Sequence, residues 1–133
     1  MITDTIHVAK NGDDRNEGTE KSPLLTIQHA ADRAQPGDSV IVHAGTYREW
    51  VSPPRGGSSP EARICYRAAE GESVCISGAE PVHDWQAQGK GLWKVQLRNE
   101  FFGDFNPYNE DVGGDWFIDH GRKHSRGAVY LGE

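Results

Sequence analysis

The sequence predicts an all-β chain of stacked coils, a β-solenoid, on three observations. Pro36 to Glu49, PGDSVIVHAGTYRE, sets the β-branched run Val40-Ile41-Val42 between a Gly37-Asp38 turn and Gly45, and a second extended segment covers Tyr47 to Val51. Two short strands meeting at a glycine suit a bend better than a hairpin, which needs longer runs and a two-residue primed turn. The pattern then returns: Ile64-Cys65-Tyr66 and Val74-Cys75-Ile76 follow the two segments at about 23 to 24 residues, with Gly71 and Gly78 as punctuation. Such apolar runs cannot be buried alone and must stack on a neighbour. A small antiparallel β domain with similar strand spacing is the alternative that two repeats leave open.

Taken in order, Thr5 to Ala9 reads as a first strand and Lys10 to Ser22 as a polar loop. Asn11, Asp13, Asp14 and Glu17 offer oxygens for calcium, but Arg15 falls in a ligand slot of the EF-hand pattern, so a solvated turn is expected and no metal. Leu24 to Ala34 has apolar residues at Ile27, Ala30, Ala31 and Ala34, the spacing of one helix face, with Thr26 as N-cap and Pro36-Gly37 as the stop. A helix before the first coil covers a stack end that would otherwise expose core and strand edges.

Here the residues carry a resemblance. The loop NG-D-x-x-x-x-G-T, the helix P-x-x-T-I-Q-x-A and the corner GD-x-I-x-V-x-x-G-x-Y-x-E, with Val40 at its Ile position, follow one another between Asn11 and Glu49. This run resembles the N-terminal cap and first coil of the right-handed parallel β-helix proteins, the pectate-lyase-like superfamily. The resemblance implies that fold and is silent on activity, because lyases, hydrolases, epimerases and adhesins share it.

Beyond the loop Pro53 to Ala62, a second coil spans Arg63 to Gly78. Trp93 to Leu97 alternates as a strand with one wet face, led by the turn Gly89-Lys90-Gly91. Residues 1–100 are therefore read as cap and first coils, and residues 101–133 as an aromatic and acidic loop region ending in a strand at Ala128 to Leu131. In that region, rings mixed with Asp and Asn are what a sugar site uses, the ring faces stacking on a pyranose and the polar groups taking hydroxyls. The competing reading makes Phe101, Phe102 and Trp116 core beneath a long loop.

The last third, with NPYN, GDWF and VYL, is also similar to the β-xylosidases of glycoside hydrolase family 120, in which an N-terminal β-helix portion is followed by an inserted β-sandwich before the helix resumes. That resemblance implies a retaining glycosidase acting on a xylo-oligosaccharide or other β-linked sugar. It implies that Trp116 borders the sugar pocket with Asp115 beside it, and that Asn106, Tyr108 and Asn109 shape the rim. The catalytic carboxylates of the family lie in later coils, so no catalytic residue is assigned to this chain, which is expected to be a fragment of a larger fold and inactive alone. A non-catalytic carbohydrate-binding or adhesin-like module and a polysaccharide lyase fragment are the alternatives. The lyase would call for calcium and a basic catalytic residue.

Other chemistry is weakly signalled. Glu110, Asp111 and Asp115 lie in a turn-rich acidic stretch with nothing to fix the separation a carboxylate pair needs. His120 and His124 have zinc-helix spacing but enclose Gly121 and lack the adjacent Glu. There is no G-x-S-x-G elbow. With a net charge of −6 and scattered basic residues, no nucleic-acid footprint exists. No leader or membrane-length apolar run is seen, so a cytoplasmic location is expected, with no cofactor, no membrane partner and a homo-oligomer of the intact enzyme left open. Without a secretion signal, Cys65 and Cys75 are expected as buried thiols in strands rather than a disulfide.

Overall fold

A computed structural model describes residues 4–118 and 120–130. Their elements are β1 (Thr5–Val8), α1 (Ile27–Arg33), β2 (Ser39–Val42), β3 (Gly45–Tyr47), β4 (Cys65–Ala68), β5 (Val74–Ile76), β6 (Gln86–Gly89), β7 (Leu92–Lys94) and a 3-10 turn at Asn99–Phe102. The structure is strand-rich with one α-helix, as an all-β reading requires. It divides into two compact units, the first ending at Pro81 and the second beginning at Val82.

In the first unit every strand pair is parallel. β1, β2 and β4 form one sheet and β3 and β5 a second. Ile6 lies opposite Val40, which lies opposite Tyr66; Val8 lies opposite Val42, then Ala68. Because side chains alternate along a strand, these residues share one face. The core on that face is Ile6, Val8, Leu24, Ile27, Ala30, Ala34, Val40, Val42 and Tyr47. Each large side chain fully buried there contributes about 1.5–3 kcal/mol.

The register corrects the expected spacing. Ser39 pairs with Cys65, 26 residues on, and Gly45 pairs with Val74, 29 residues on. The different intervals come from unequal turns. The second segment also starts earlier than expected, at Gly45, and Trp50 is 91% exposed outside any strand. Cys65 and Cys75 are free, as expected, but exposed. They occupy β4 and β5, the last strand of each sheet, where the sequence's layering leaves them without a covering layer among the described residues of this unit.

The other edge of the first sheet is closed by the chain itself. Leu24 N–H donates to the His7 carbonyl, Ala9 N–H to the Leu24 carbonyl and His7 N–H to the Gly18 carbonyl, at 2.9, 2.9 and 2.7 Å. Unpaired groups of β1 are thereby satisfied. α1 packs on β1 and β2 through Ile27 and Ala30, and its C-cap Ala34 joins the same core. Its N-terminus is served from three directions. Thr26 Oγ1 accepts from His29 N–H, as its N-cap role predicts. Asp14 takes the Leu25 and Thr26 N–H groups and the Thr26 hydroxyl, so this loop acidic residue is a structural acceptor. Glu49 receives Ile27 N–H at 3.1 Å and Gln28 N–H at 3.0 Å on its two oxygens.

Two further motif residues have plain structural duties. Tyr47 is fully buried and donates its hydroxyl to the His43 carbonyl at 2.9 Å. Asp38, buried behind Gly37, accepts from the N–H groups of Asp4 and Gln35 at 2.9 and 2.7 Å.

In the second unit β6 and β7 form an antiparallel hairpin through Gly89, Lys90 and Gly91, all at positive φ. The strand predicted over Trp93 to Leu97 is shorter and shifted, Leu92–Lys94. Ala128 to Tyr130 form no strand, and Leu131 lies outside the described residues.

Candidate functional site

The site residues proposed from the sequence lie in irregular chain of the second unit. Asn106 opens a turn in which its Oδ1 accepts the Tyr108 N–H at 2.9 Å, and the Asn109 N–H reaches the Asn106 carbonyl at 3.0 Å. This is the local side-chain turn that an Asn-Pro start favours. Asn99 Oδ1 accepts from Asn106 Nδ2 at 2.7 Å and, more weakly, from Asn109 Nδ2 at 3.4 Å. The structure thus brings Asn106, Tyr108 and Asn109 together around Asn99.

Tyr108 is pinned at both ends. Its ring meets Phe102 edge-on at 5.6 Å, and Phe102 meets Phe101 at 5.1 Å. Its hydroxyl donates to the Ala128 carbonyl at 3.2 Å. Gly127 lies so close that a Cβ there would stand 2.5 Å from Tyr108 Cε1, so a larger residue would displace the ring. Asn99, Gly127 and Ala128 were not identified from the sequence. A lone Asn after a strand and a Gly before VYL carry no signal of mutual contact.

Trp116 and Asp115 sit on a separate turn. Phe117 N–H closes it on the Gly114 carbonyl at 3.1 Å. Gly114, at φ 141°, underlies the indole, where a Cβ would stand 2.8 Å from Nε1. Trp116 meets Phe117 edge-on at 6.2 Å, and Phe117 meets His124 at 5.7 Å. Trp116 is nevertheless 71% exposed, so among the described residues this ring is not core. Asp115 is exposed beside it.

A short ladder joins the segments flanking this turn. Asp111 bridges Ser125, Val112 N–H donates to the His124 carbonyl at 2.6 Å, and Arg126 N–H donates to the Glu110 carbonyl at 3.0 Å. Lys123 and Asp111 stand 3.8 Å apart across it, both exposed. Among the described residues no group of three or more His, Cys, Asp or Glu side chains is placed to hold a metal ion. No helix of the described residues is long and apolar enough to cross a membrane.

Comparison with known proteins divides the chain where its two units meet. Residues 82–133 match the insertion domain of glycoside hydrolase 120, and residues 10–52 match DUF1565, a family of unknown function. The structure of XylC in complex with xylose is similar at 50% identity and a TM-score of 0.86, over 91% of this chain and 19% of that one. A second structure, described as a glycoside hydrolase, is 28% identical with a TM-score of 0.58, over 73% of this chain and 19% of its own. Among curated proteins, YwoF of Bacillus subtilis, which is uncharacterized, is 39% identical over 56% of this chain and 16% of its own length. Pectate lyase PEL9 of Emericella nidulans is 38% identical over 60% of this chain and 20% of its own. The chain spans a fifth or less of the length of each. Both resemblances read from the sequence, to the β-helix superfamily and to family 120, agree with these matches.

Proposed function

We propose that this chain is part of a retaining β-xylosidase-like glycoside hydrolase, that its first unit begins a right-handed parallel β-helix, and that its second unit lends residues to the sugar pocket. The observation that carries the reading is the coincidence of the second unit with the family 120 insertion domain, in a chain half-identical to XylC. The parallel pairing of all the strands of the first unit supports the β-helix.

In this reading the exposed Trp116 ring is a stacking wall for a pyranose face and Asp115 reaches a hydroxyl or orients the ring. Asn106, Tyr108 and Asn109 form a fixed rim, because each is already held by hydrogen bonds within the loop. The two carboxylates of a retaining mechanism, about 5–5.5 Å apart, come from the greater part of the relatives' length that this chain does not span. The substrate is a xylo-oligosaccharide or another β-linked sugar.

The test compares hydrolysis of an aryl β-xyloside by the 133-residue chain and by the gene's complete product. Turnover by the complete product alone is expected, with Trp116→Ala in it weakening xylose binding about tenfold, the worth of one aromatic contact. Turnover by the 133-residue chain would place the chemistry on Glu110, Asp111 or Asp115 and overturn the assignment. The similarity to a pectate lyase favours a second reading, a polysaccharide lyase. Calcium-dependent cleavage of an acidic polysaccharide by the complete product, without xyloside hydrolysis, would establish that instead.

A further inference from the structure

Three side chains that the proposed site does not use line up where the first unit turns from one sheet to the other. His7 lies in β1, His43 directly follows β2, and Glu72 lies in the turn from β4 to β5. His7 Nδ1 stands 3.0 Å from His43 Nε2, and the two rings stack at 5.3 Å with 22° between their planes. His43 Nδ1 stands 3.0 Å from Glu72 Oε1, and the other Glu72 oxygen accepts the Ala44 N–H at 2.5 Å. The row therefore ties together three successive passes of the chain.

Protons in this row are constrained. The Ala44 N–H, and after it His43, hold the Glu72 carboxyl below its usual range, so near neutral pH it is a pure acceptor. His43 must then donate from Nδ1, and when neutral it presents a lone pair at Nε2. His7 completes the row by donating from Nδ1 into that lone pair. One added proton leaves both hydrogen bonds intact, whether it rests on His7 Nε2 or between the rings. A second sets N–H against N–H across 3.0 Å and puts two cations beside one carboxylate.

The surroundings do not supply a second anion of equal weight. Glu20, from the polar loop, favours a charged His7, but burial and the His43 charge outweigh it and push the His7 pKa down. On the sheet face that His7 shares, its neighbour is Ile41 and the next residue across is Arg67, so that face adds no anion. At the neighbouring corner Lys10 places its ammonium over the Tyr47 ring at 5.0 Å, and the Tyr47 hydroxyl is committed to the His43 carbonyl.

We infer that His7, His43 and Glu72 form a pH-sensitive clasp on the corner between the two sheets, closed while the histidine pair carries at most one proton and released when it takes a second. Release loosens the passage from β2 to β3 and from β4 to β5, the corner that orders both sheets. The sign follows from His7. Its folded pKa is below 6.5, so the unfolded chain binds more protons as pH falls through 6.5 and stability declines until the lower folded value is passed.

The experiment records the ring nitrogen shifts of the intact chain by NMR, and urea unfolding of wild type and His7→Gln, at about pH 7.5 and about pH 5.5, either side of the ordinary histidine value. Gln removes the titration and retains a side-chain N–H, one bond further from the backbone than the Nδ1–H it replaces. The expected result is His43 as the Nδ1–H tautomer at the higher pH, with a mixed tautomer in Glu72→Gln. The unfolding constant should rise several-fold more on acidification in wild type than in His7→Gln. Equal pH responses in the two proteins, or an Nε2–H tautomer of His43 in wild type, would overturn the clasp. Should His7→Gln fail to fold, the wild-type tautomer of His43 decides alone: an Nε2–H tautomer at the higher pH refutes the inference.

Discussion

Replacing Glu49 by Ala removes one carboxylate that serves two backbone donors. Thr26 satisfies only the His29 N–H, through its hydroxyl, and the Ala30 N–H, through its carbonyl, leaving Ile27 and Gln28 to Glu49 at 3.1 and 3.0 Å. A hydrogen bond to a charged acceptor is worth about 1.5–3 kcal/mol, and proximity of a negative charge to a helix N-terminus adds about 0.3–1 kcal/mol. The site is half-buried, so water replaces part of what is lost, and both bonds share one group. The expected loss is about 2 kcal/mol for Glu49→Ala and about 1 kcal/mol for Glu49→Gln, which keeps an acceptor oxygen without the charge. Urea unfolding followed by far-ultraviolet circular dichroism should show a lower midpoint at unchanged slope. Thr26→Ala should cost about 1 kcal/mol and couple to Glu49→Ala by about 0.5 kcal/mol or more. A loss below about 0.5 kcal/mol for Glu49→Ala would refute the role given to this carboxylate, since that is the range of an ordinary surface substitution.

Tyr47→Phe should cost about 1 kcal/mol, the net worth of its hydroxyl bond, whereas Tyr47→Ala should cost about 3–5 kcal/mol by opening a cavity, both read by urea unfolding. Gly12→Ala should destabilise by about 3 kcal/mol or more, because a Cβ there runs into the Leu24 carbonyl, which is held in the β1 edge; an unchanged melting temperature would show that this edge can shift. Burial pushes the Asp14 carboxyl up, but the bonds from Thr26 and Leu25 outweigh it and leave its pKa below 3.8. Its contribution is thus complete above 3.8 and lost as pH falls through the lower folded value, so Asp14→Asn should flatten stability against pH below about 4 in paired unfolding curves. Trp116→Ala should leave the unfolding midpoint unchanged to within about 0.5 kcal/mol, because the exposed ring packs on little besides Phe117 and Gly114.

The first unit was legible where side chains have one use. Val40 to Val42 announced a strand, the spacing of Ile27, Ala30 and Ala34 announced a helix, and Thr26 its start. The register was not legible, because turn length sets it and turn residues are interchangeable: Ser39 meets Cys65 two residues later than the apolar runs suggested, a slip that keeps every side chain on its face. The purpose of Glu49 and Asp14 was hidden for another reason. Both act on backbone groups more than ten residues away, and composition says nothing of such partners. In the second unit, Asn106 announced its own turn, but Asn99 and the Ala128 carbonyl reach it or Tyr108 only through the folded loop. Trp93 to Leu97 alternated like a strand, yet pairing stops at Lys94, where β6 ends opposite it at Gln86. Alternation marks the faces a strand would have, not whether a partner is long enough to make one.

The two-oxygen grip of Glu49 on α1 also sets an order of events during synthesis. Seven residues are too few for a helix to persist in water by itself, since nucleation alone is unfavourable. Asp14 is already out of the ribosome when the helical segment emerges, but Glu49 and the β2 face that buries Ile27 and Ala30 are not. The segment must therefore wait as unstructured chain for about twenty more residues and then fold together with the first corner. Folding of the nascent chain then starts from that joint closure, and each later pass of chain has a finished surface on which to settle.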